Sequence, residues 1–106
     1  MFRALEYISE TEDLSRLSLP KLEENLHASV RTIEYAFKSR LGISPKRYIN
    51  IVRLNRIRRD LLLANAESTS DKEIMTQYNI VHKAQFNTDY YSFFNEYPIE
   101  TLNKTI

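Results

Sequence analysis

A chain of 106 residues with a single glycine, Gly42, has almost no residue that enters the left-handed backbone region freely. Sheets built from many tight turns need several such residues, so a strand-rich fold is disfavoured at the outset. Only three prolines add to the turn formers. Apolar side chains recur instead at spacings of three and four, the period of one helix face. The chain therefore reads as all-α, with about seven helices. Its length is that of one ordinary domain or two very small subdomains, and 42% apolar content is enough for a core without staples.

Start and stop signals divide the helices. A first helix is expected over about residues 2–10, with Phe2, Leu5 and Ile8 on one side. Ser18 offers an N-cap oxygen to a short helix at about 20–26, with Pro20 in its first turn and Leu22 and Leu26 at i, i+4. Ser29 can cap a third helix through Leu41, whose buried stripe would be Val30, Ile33, Phe37 and Leu41. Gly42 then stands where a helix wants a left-handed residue beyond its end. Ser44-Pro45 restarts the chain, since Ser caps and Pro at the first helical position has no N–H to leave orphaned. The resulting fourth helix, about 45–64, would be about 30 Å long. After a polar loop at 65–69, Ser70 and Glu73 form a capping box for a fifth helix through about Tyr78. A sixth is expected over 82–94, with Phe86, Tyr90, Phe93 and Phe94 inward or at its edges, and Pro98 to Leu102 adds a last turn.

The pattern repeats. Leu22 and Leu26 match Ile74 and Tyr78 at an offset of 52, and Ile33, Phe37, Gly42 and Pro45 match Phe86, Tyr90, Asn95 and Pro98 at 53. Asn95 opposite Gly42 is chemically apt, because Asn is the residue that next best tolerates the left-handed conformation. A short helix, a turn and a longer helix thus occur twice. The domain 1–106 reads as a first helix-turn-helix subdomain at about 2–44, a linker helix at about 45–64 and a second subdomain at about 70–103.

Net charge is only +1, but its distribution is uneven. Residues 35–59 hold eight of the fifteen basic side chains and no Asp or Glu, for +8, while 1–34 carry four basic and seven acidic (−3) and 60–106 three and seven (−4). That window is a polyanion-facing surface inside a near-neutral protein. There is no cysteine, which removes disulfides and thiolate metal sites and fits a reducing, cytoplasmic setting. No apolar run approaches the ~18 residues of a membrane span, and the charged start is unlike a signal peptide, so no membrane association is expected. A chain that opens directly on a helix, without a linker, fits a piece of a longer protein.

The run Ser29-Val30-Arg31-Thr32-Ile33-Glu34-Tyr35-Ala36-Phe37, then Gly42-Ile43-Ser44-Pro45-Lys46-Arg47-Tyr48, then Arg53-Leu54, resembles the DNA-binding domain of AraC/XylS transcriptional regulators. The resemblance covers about residues 5–102. Through His82-Lys83-Ala84-Gln85-Phe86, Asp89-Tyr90 and Glu96 to Leu102, the second half is similar to the ethanolamine-utilisation-regulator-like branch. Two family glycines are replaced, one by Asn79 in the second turn and one by Asn95, and Asn can serve at both at modest cost.

The resemblance implies recognition helices at about 29–41 and 82–94 in successive major grooves of double-stranded DNA. It further implies promoter activation through RNA polymerase and control by a separate N-terminal sensing or dimerisation domain. It places the protein in the bacterial cytoplasm, at the nucleoid when DNA-bound. Helical projection supports the first helix independently: with Val30, Ile33, Phe37 and Leu41 inward, Arg31, Tyr35 and Lys38 face outward. Arg31, near the helix start, is the leading candidate for bidentate readout of guanine. Glu34 either accepts from a cytosine amino group or is a solvated carboxylate, and Tyr35 meets a phosphate or a thymine methyl. On the sixth helix Ala84, Gln85 and Thr88 are the base-reading candidates, with Lys83 its only cation. Base specificity should therefore lean on the first unit. Phosphate contacts are assigned to Ser29, Lys38, Lys46, Arg53, Arg56 and Lys83; Lys46, Arg53 and Arg56 share an arc of about 80° on the fourth helix. Against this, Arg56 and Asp60 are spaced i, i+4 for an ion pair, and Arg stems often only cover apolar surface.

No catalytic motif is present: no G-x-S-x-G, no phosphate-cradling glycine loop and no paired carboxylates. His27 and His82 fall at helix-turn-helix corners, away from other metal ligands, and read as turn residues. Neither cofactor nor metal is expected, and the chain is not read as an enzyme. Among the aromatics, Tyr35, Tyr91 and Tyr97 fall outside the core spacing. The alternative to DNA binding is a helical protein-interaction module with a degenerate second helix-turn-helix.

Overall fold

The computed structural model describes residues 2–14 and 17–104, with Phe2 described in its backbone alone, so the expected inward face of Phe2 lies outside the described side chains. Seven helices follow one another: α1 (Phe2–Glu10), α2 (Leu19–Leu26), α3 (Val30–Leu41), α4 (Pro45–Leu63), α5 (Asp71–Gln77), α6 (Lys83–Phe94) and α7 (Pro98–Leu102). No strand occurs among the described residues. The chain divides into two compact units between Arg53 and Leu54, within α4. The linker helix is thus no separate body, and each half of it belongs to a core.

In the first unit the core is Ala4, Ile8, Leu14, Leu22, Ile33 and Phe37, with Tyr48, Ile49 and Val52 of α4 packed against it. Phe37 is fully buried and meets the Tyr48 ring edge-on, centroids 5.7 Å apart. That contact closes the core one turn before the end of α3. Leu41, expected in the buried stripe, is instead 42% exposed, because the chain has already turned away at Gly42. In the second unit Leu54, Ile57 and Leu61 of α4 pack with Ile74, Met75, Ile80, Phe86, Tyr90 and Leu102.

The helix ends follow their local chemistry. Ser18, Ser29, Ser44 and Ser70 each accept, through the hydroxyl, the backbone N–H three residues on, at 3.3, 3.1, 3.1 and 3.1 Å. Gly42 takes φ 74° and donates to the carbonyls of Phe37 and Lys38. Asn95, its counterpart at offset 53, takes φ 60° and donates to Tyr91 O at 2.7 Å. Asn79 in the second turn is also left-handed at φ 58°, and so is His27, its counterpart at offset 52, at φ 54°. Each unit therefore bends its chain at two matched left-handed residues, and glycine fills one of the four positions.

Candidate nucleic-acid interface

Burying Ile33 and Phe37 rotates α3 so that Arg31, Glu34, Tyr35 and Lys38 all stand exposed, Tyr35 at 75%. A tyrosine so exposed on a helix anchored from behind is an unsatisfied amphipathic surface. At the start of α3 the Ser29 hydroxyl accepts from Thr32 N and shares a 2.9 Å hydrogen bond with the Thr32 hydroxyl, so its first task is local capping. Val30 N donates across the turn to Glu23 Oε2 at 2.8 Å. No sequence signal marks this contact, since Glu23 lies on α2 and Val30 on α3, and helical spacing says nothing across the turn between them.

The face of α6 is quieter. Ala84, Gln85 and Thr88 are exposed, but the Gln85 amide donates to Asp89 Oδ1 at 3.0 Å and the Thr88 hydroxyl donates back to Ala84 O at 3.2 Å. Lys83 is half-buried at the helix start. Tyr91 and Tyr97, which the sequence left without a role, stack on each other with centroids 4.7 Å apart.

Along α4 the basic window separates by environment. Lys46 and Arg47 are exposed at its start and, with Ser44, Asn50, Arg53, Leu14, Leu17 and Ile49, line a concavity of about 460 Å³. Arg53 is half-buried; burial pushes its guanidinium pKa down, and the nearby Asp13 carboxylate partly offsets this. Arg56 is also half-buried. Arg58 turns inward, pairing with Glu96 at 3.2 Å and lying over the Phe94 ring at 4.8 Å. Arg59 is exposed but pairs with Asp60 at 3.1 Å. Asp60 also accepts from the Tyr78 hydroxyl. The i, i+4 spacing of Arg56 and Asp60 thus understated the partners of Asp60, and within the window Arg58 and Arg59 are matched by carboxylates that lie outside it in sequence.

Glu96 anchors a buried network in the second unit. Lys104 donates to its Oε1 at 2.7 Å and Thr101 to its Oε2 at 2.6 Å, while Thr101 also shares a 2.7 Å bond with the Tyr90 hydroxyl. Lys104, then Thr101 and Arg58, hold the Glu96 carboxyl down at about 2, against its burial. The two units also differ in charge. Residues 1–53 carry nine basic and seven acidic side chains, +2, and residues 54–106 six and seven, −1. Among the described residues no group of three or more His, Asp or Glu is placed to hold a metal ion, and no helix is long and apolar enough to cross a membrane.

Comparison with known proteins bears on this arrangement. A family model described as a helix-turn-helix domain matches residues 22–104. The chain is 30% identical over 99 residues to a probable thc operon regulatory protein of Rhodococcus erythropolis, covering 93% of this chain and 30% of that protein. It is 34% identical over 103 residues to XylDLEGF operon transcriptional activator 1 of Pseudomonas putida, covering 96% of this chain and 30% of that protein. The chain thus spans about a third of the length of these curated relatives. Among solved structures, a transcriptional regulator from Chromobacterium violaceum, described among AraC-type DNA-binding domain-containing proteins, matches with a TM-score of 0.81. It is 28% identical, over 93% of this chain and 85% of that one.

Proposed function

The chain belongs to the AraC-type helix-turn-helix DNA-binding domains of transcription regulators, and we propose that it binds promoter DNA with α3 and α6 in successive major grooves. Base reading rests chiefly on Arg31, assisted by Glu34 and Tyr35, with Ala84, Gln85 and Thr88 adding weaker contacts. Lys38, Lys46, Arg53, Arg56, Lys83 and the capped turn at Ser29 meet phosphates. One observation carries this reading: α3 is anchored by Ile33 and Phe37 while Arg31, Tyr35 and Lys38 project outward together. A guanidinium near the start of such a helix reaches base edges, and lysine further along reaches the backbone.

The names of the relatives, an operon regulatory protein and an operon transcriptional activator, support transcription activation as the outcome; recruitment of RNA polymerase is the route proposed for it. The relatives are about three times longer, which supports control by a separate sensing or dimerisation domain. When bound, the protein would reside on the nucleoid. The test is selection of bound duplexes from a random pool at two salt concentrations. Enrichment of at least one groove-sized block, with binding weaker at the higher salt, is expected. A pool that emerges unenriched would turn the reading toward a helical protein-interaction module.

A further inference from the structure

The four tyrosines of the second unit divide into two pairs. Tyr78 and Tyr90 turn their hydroxyls inward, to Asp60 and to Thr101. Tyr91 and Tyr97 stay 44% and 45% exposed and stack on each other, ring centroids 4.7 Å apart and planes 35° from parallel. Tyr91 shares the outward stripe of α6 with Ala84 and Thr88, at the spacing i, i+4, i+7. Tyr97 leads into α7 from a pinned backbone. Its N–H donates to Glu100 Oε1 at 3.2 Å, the preceding Glu96 is held by Arg58, Thr101 and Lys104, and the following Pro98 is fully buried. The pair is thus exposed yet fixed in place, so little side-chain freedom is left to lose on binding. The internal repeat shows what it replaces. At offset 53 Tyr91 stands where the first unit has Lys38, and Ile99 and Glu100 stand where it has Lys46 and Arg47. Positions that are cationic in the first unit are uncharged or acidic in the second.

Resting on the DNA-binding reading above, we propose that Tyr91 and Tyr97 form a neutral phosphate clamp at the C-terminal end of α6, each hydroxyl donating to a backbone phosphate oxygen at the edge of the groove that α6 occupies. Tyrosine hydroxyls are among the groups that hydrogen-bond phosphate oxygens, and such bonds form on any sequence. An exposed aromatic pair could also seat a protein, but Tyr91 lies in one stripe with Ala84 and Thr88, on the helix face that enters the groove in this reading. A neutral donor displaces no counterion, whereas each Lys or Arg contact contributes about 0.9 to the salt slope. The second unit therefore holds the duplex by bonds that added salt barely weakens, and the cations of the first unit carry the salt dependence.

The 106-residue chain and its variants would be titrated with a duplex selected from the random pool, over a range of salt, with thermal unfolding measured in parallel. Tyr91→Phe combined with Tyr97→Phe keeps both rings and removes only the hydroxyls. This double variant should unfold at nearly the same temperature, bind about tenfold more weakly and keep the salt slope of the unaltered chain, as the loss of two neutral hydrogen bonds requires. Tyr91→Lys installs the residue type of the first unit and should steepen the slope by about 0.9, because its ammonium reaches the same phosphate. Binding by the double Phe variant within about twofold of the unaltered chain overturns the proposal and leaves the pair as a seat for a protein. A slope unmoved by Tyr91→Lys overturns it as well, since no phosphate then lies within reach. If Tyr91→Lys does not fold, the double Phe variant decides alone. An unaltered chain that binds no DNA overturns both this proposal and the reading on which it rests.

Discussion

His27 holds a left-handed backbone, φ 54°, at the turn between α2 and α3, a position where a side chain with a Cβ is strained by about 1–2 kcal/mol. Its counterpart Asn79 sits at φ 58°, where the short polar side chain makes the same conformation less costly. His27→Gly should accordingly stabilise the protein, by about 0.5–1 kcal/mol once the greater freedom of glycine in the unfolded chain is subtracted. Urea midpoints measure this, and a midpoint that falls would show that the His27 side chain contributes more than its backbone costs. Arg31 is the other residue on which much depends. Arg31→Ala should cost about 1–3 kcal/mol of specific affinity, the worth of one bidentate base contact. The pair Gln85→Ala and Thr88→Ala should cost less, because these side chains already bond Asp89 and the Ala84 carbonyl. Equal losses in competition assays with a selected duplex would reject the dominance of the first unit.

At the scale of elements, α3 and α6 share length, burial pattern and left-handed C-caps, yet they present different chemistry. α3 offers Arg31, Tyr35 and Lys38, and α6 offers Ala84, Thr88 and the stacked Tyr91. The second unit invests its polar groups inward instead. The Tyr78 hydroxyl, at the end of α5, donates to Asp60 of α4, and burial, with that hydrogen bond adding to it, pushes the Tyr78 pKa up to about 12. A tyrosine whose folded pKa lies above its unfolded value near 10 adds stability that is fully present below pH 10 and is lost as pH rises toward 12. Tyr78→Phe should therefore be less stable by about 1 kcal/mol at pH 8, the worth of one partly exposed hydrogen bond. The gap to the unaltered protein should close between pH 10 and 12; a gap constant with pH would mean that the hydroxyl proton carries no part of the stability.

For the molecule as a whole, positive charge belongs to the first unit, +2 against −1 in the second, and in the second unit Arg58 and Arg59 are paired with Glu96 and Asp60. If Lys46, Arg53 and Arg56 each meet a phosphate, replacing all three should weaken binding to every sequence and flatten the salt dependence by about 2.7, or 0.9 for each contact. An unchanged slope would remove them from the interface. Much of this architecture is legible in the sequence. Gly42, the serine caps and the threes and fours of Ile33, Phe37, Phe86 and Tyr90 define α3 and α6, because capping and amphipathicity act within a turn or two of chain. The repeat at 52 and 53 pairs the left-handed positions, including Asn95 with Gly42. What sequence could not order was the company each charge keeps. Arg58 and Lys46 are alike in a charge count, but one is folded against Glu96 and Phe94 while the other stands exposed. Leu41 carries a core spacing and is left outside where the chain turns. Helices, their caps and the family resemblance are written in the linear order of residues, since they depend on neighbours in the chain. Which cations stand exposed, and that Glu23 accepts from Val30 N across the turn, emerged with the folded units alone, since ion pairs and cross-turn bonds form between segments whose approach no local period encodes.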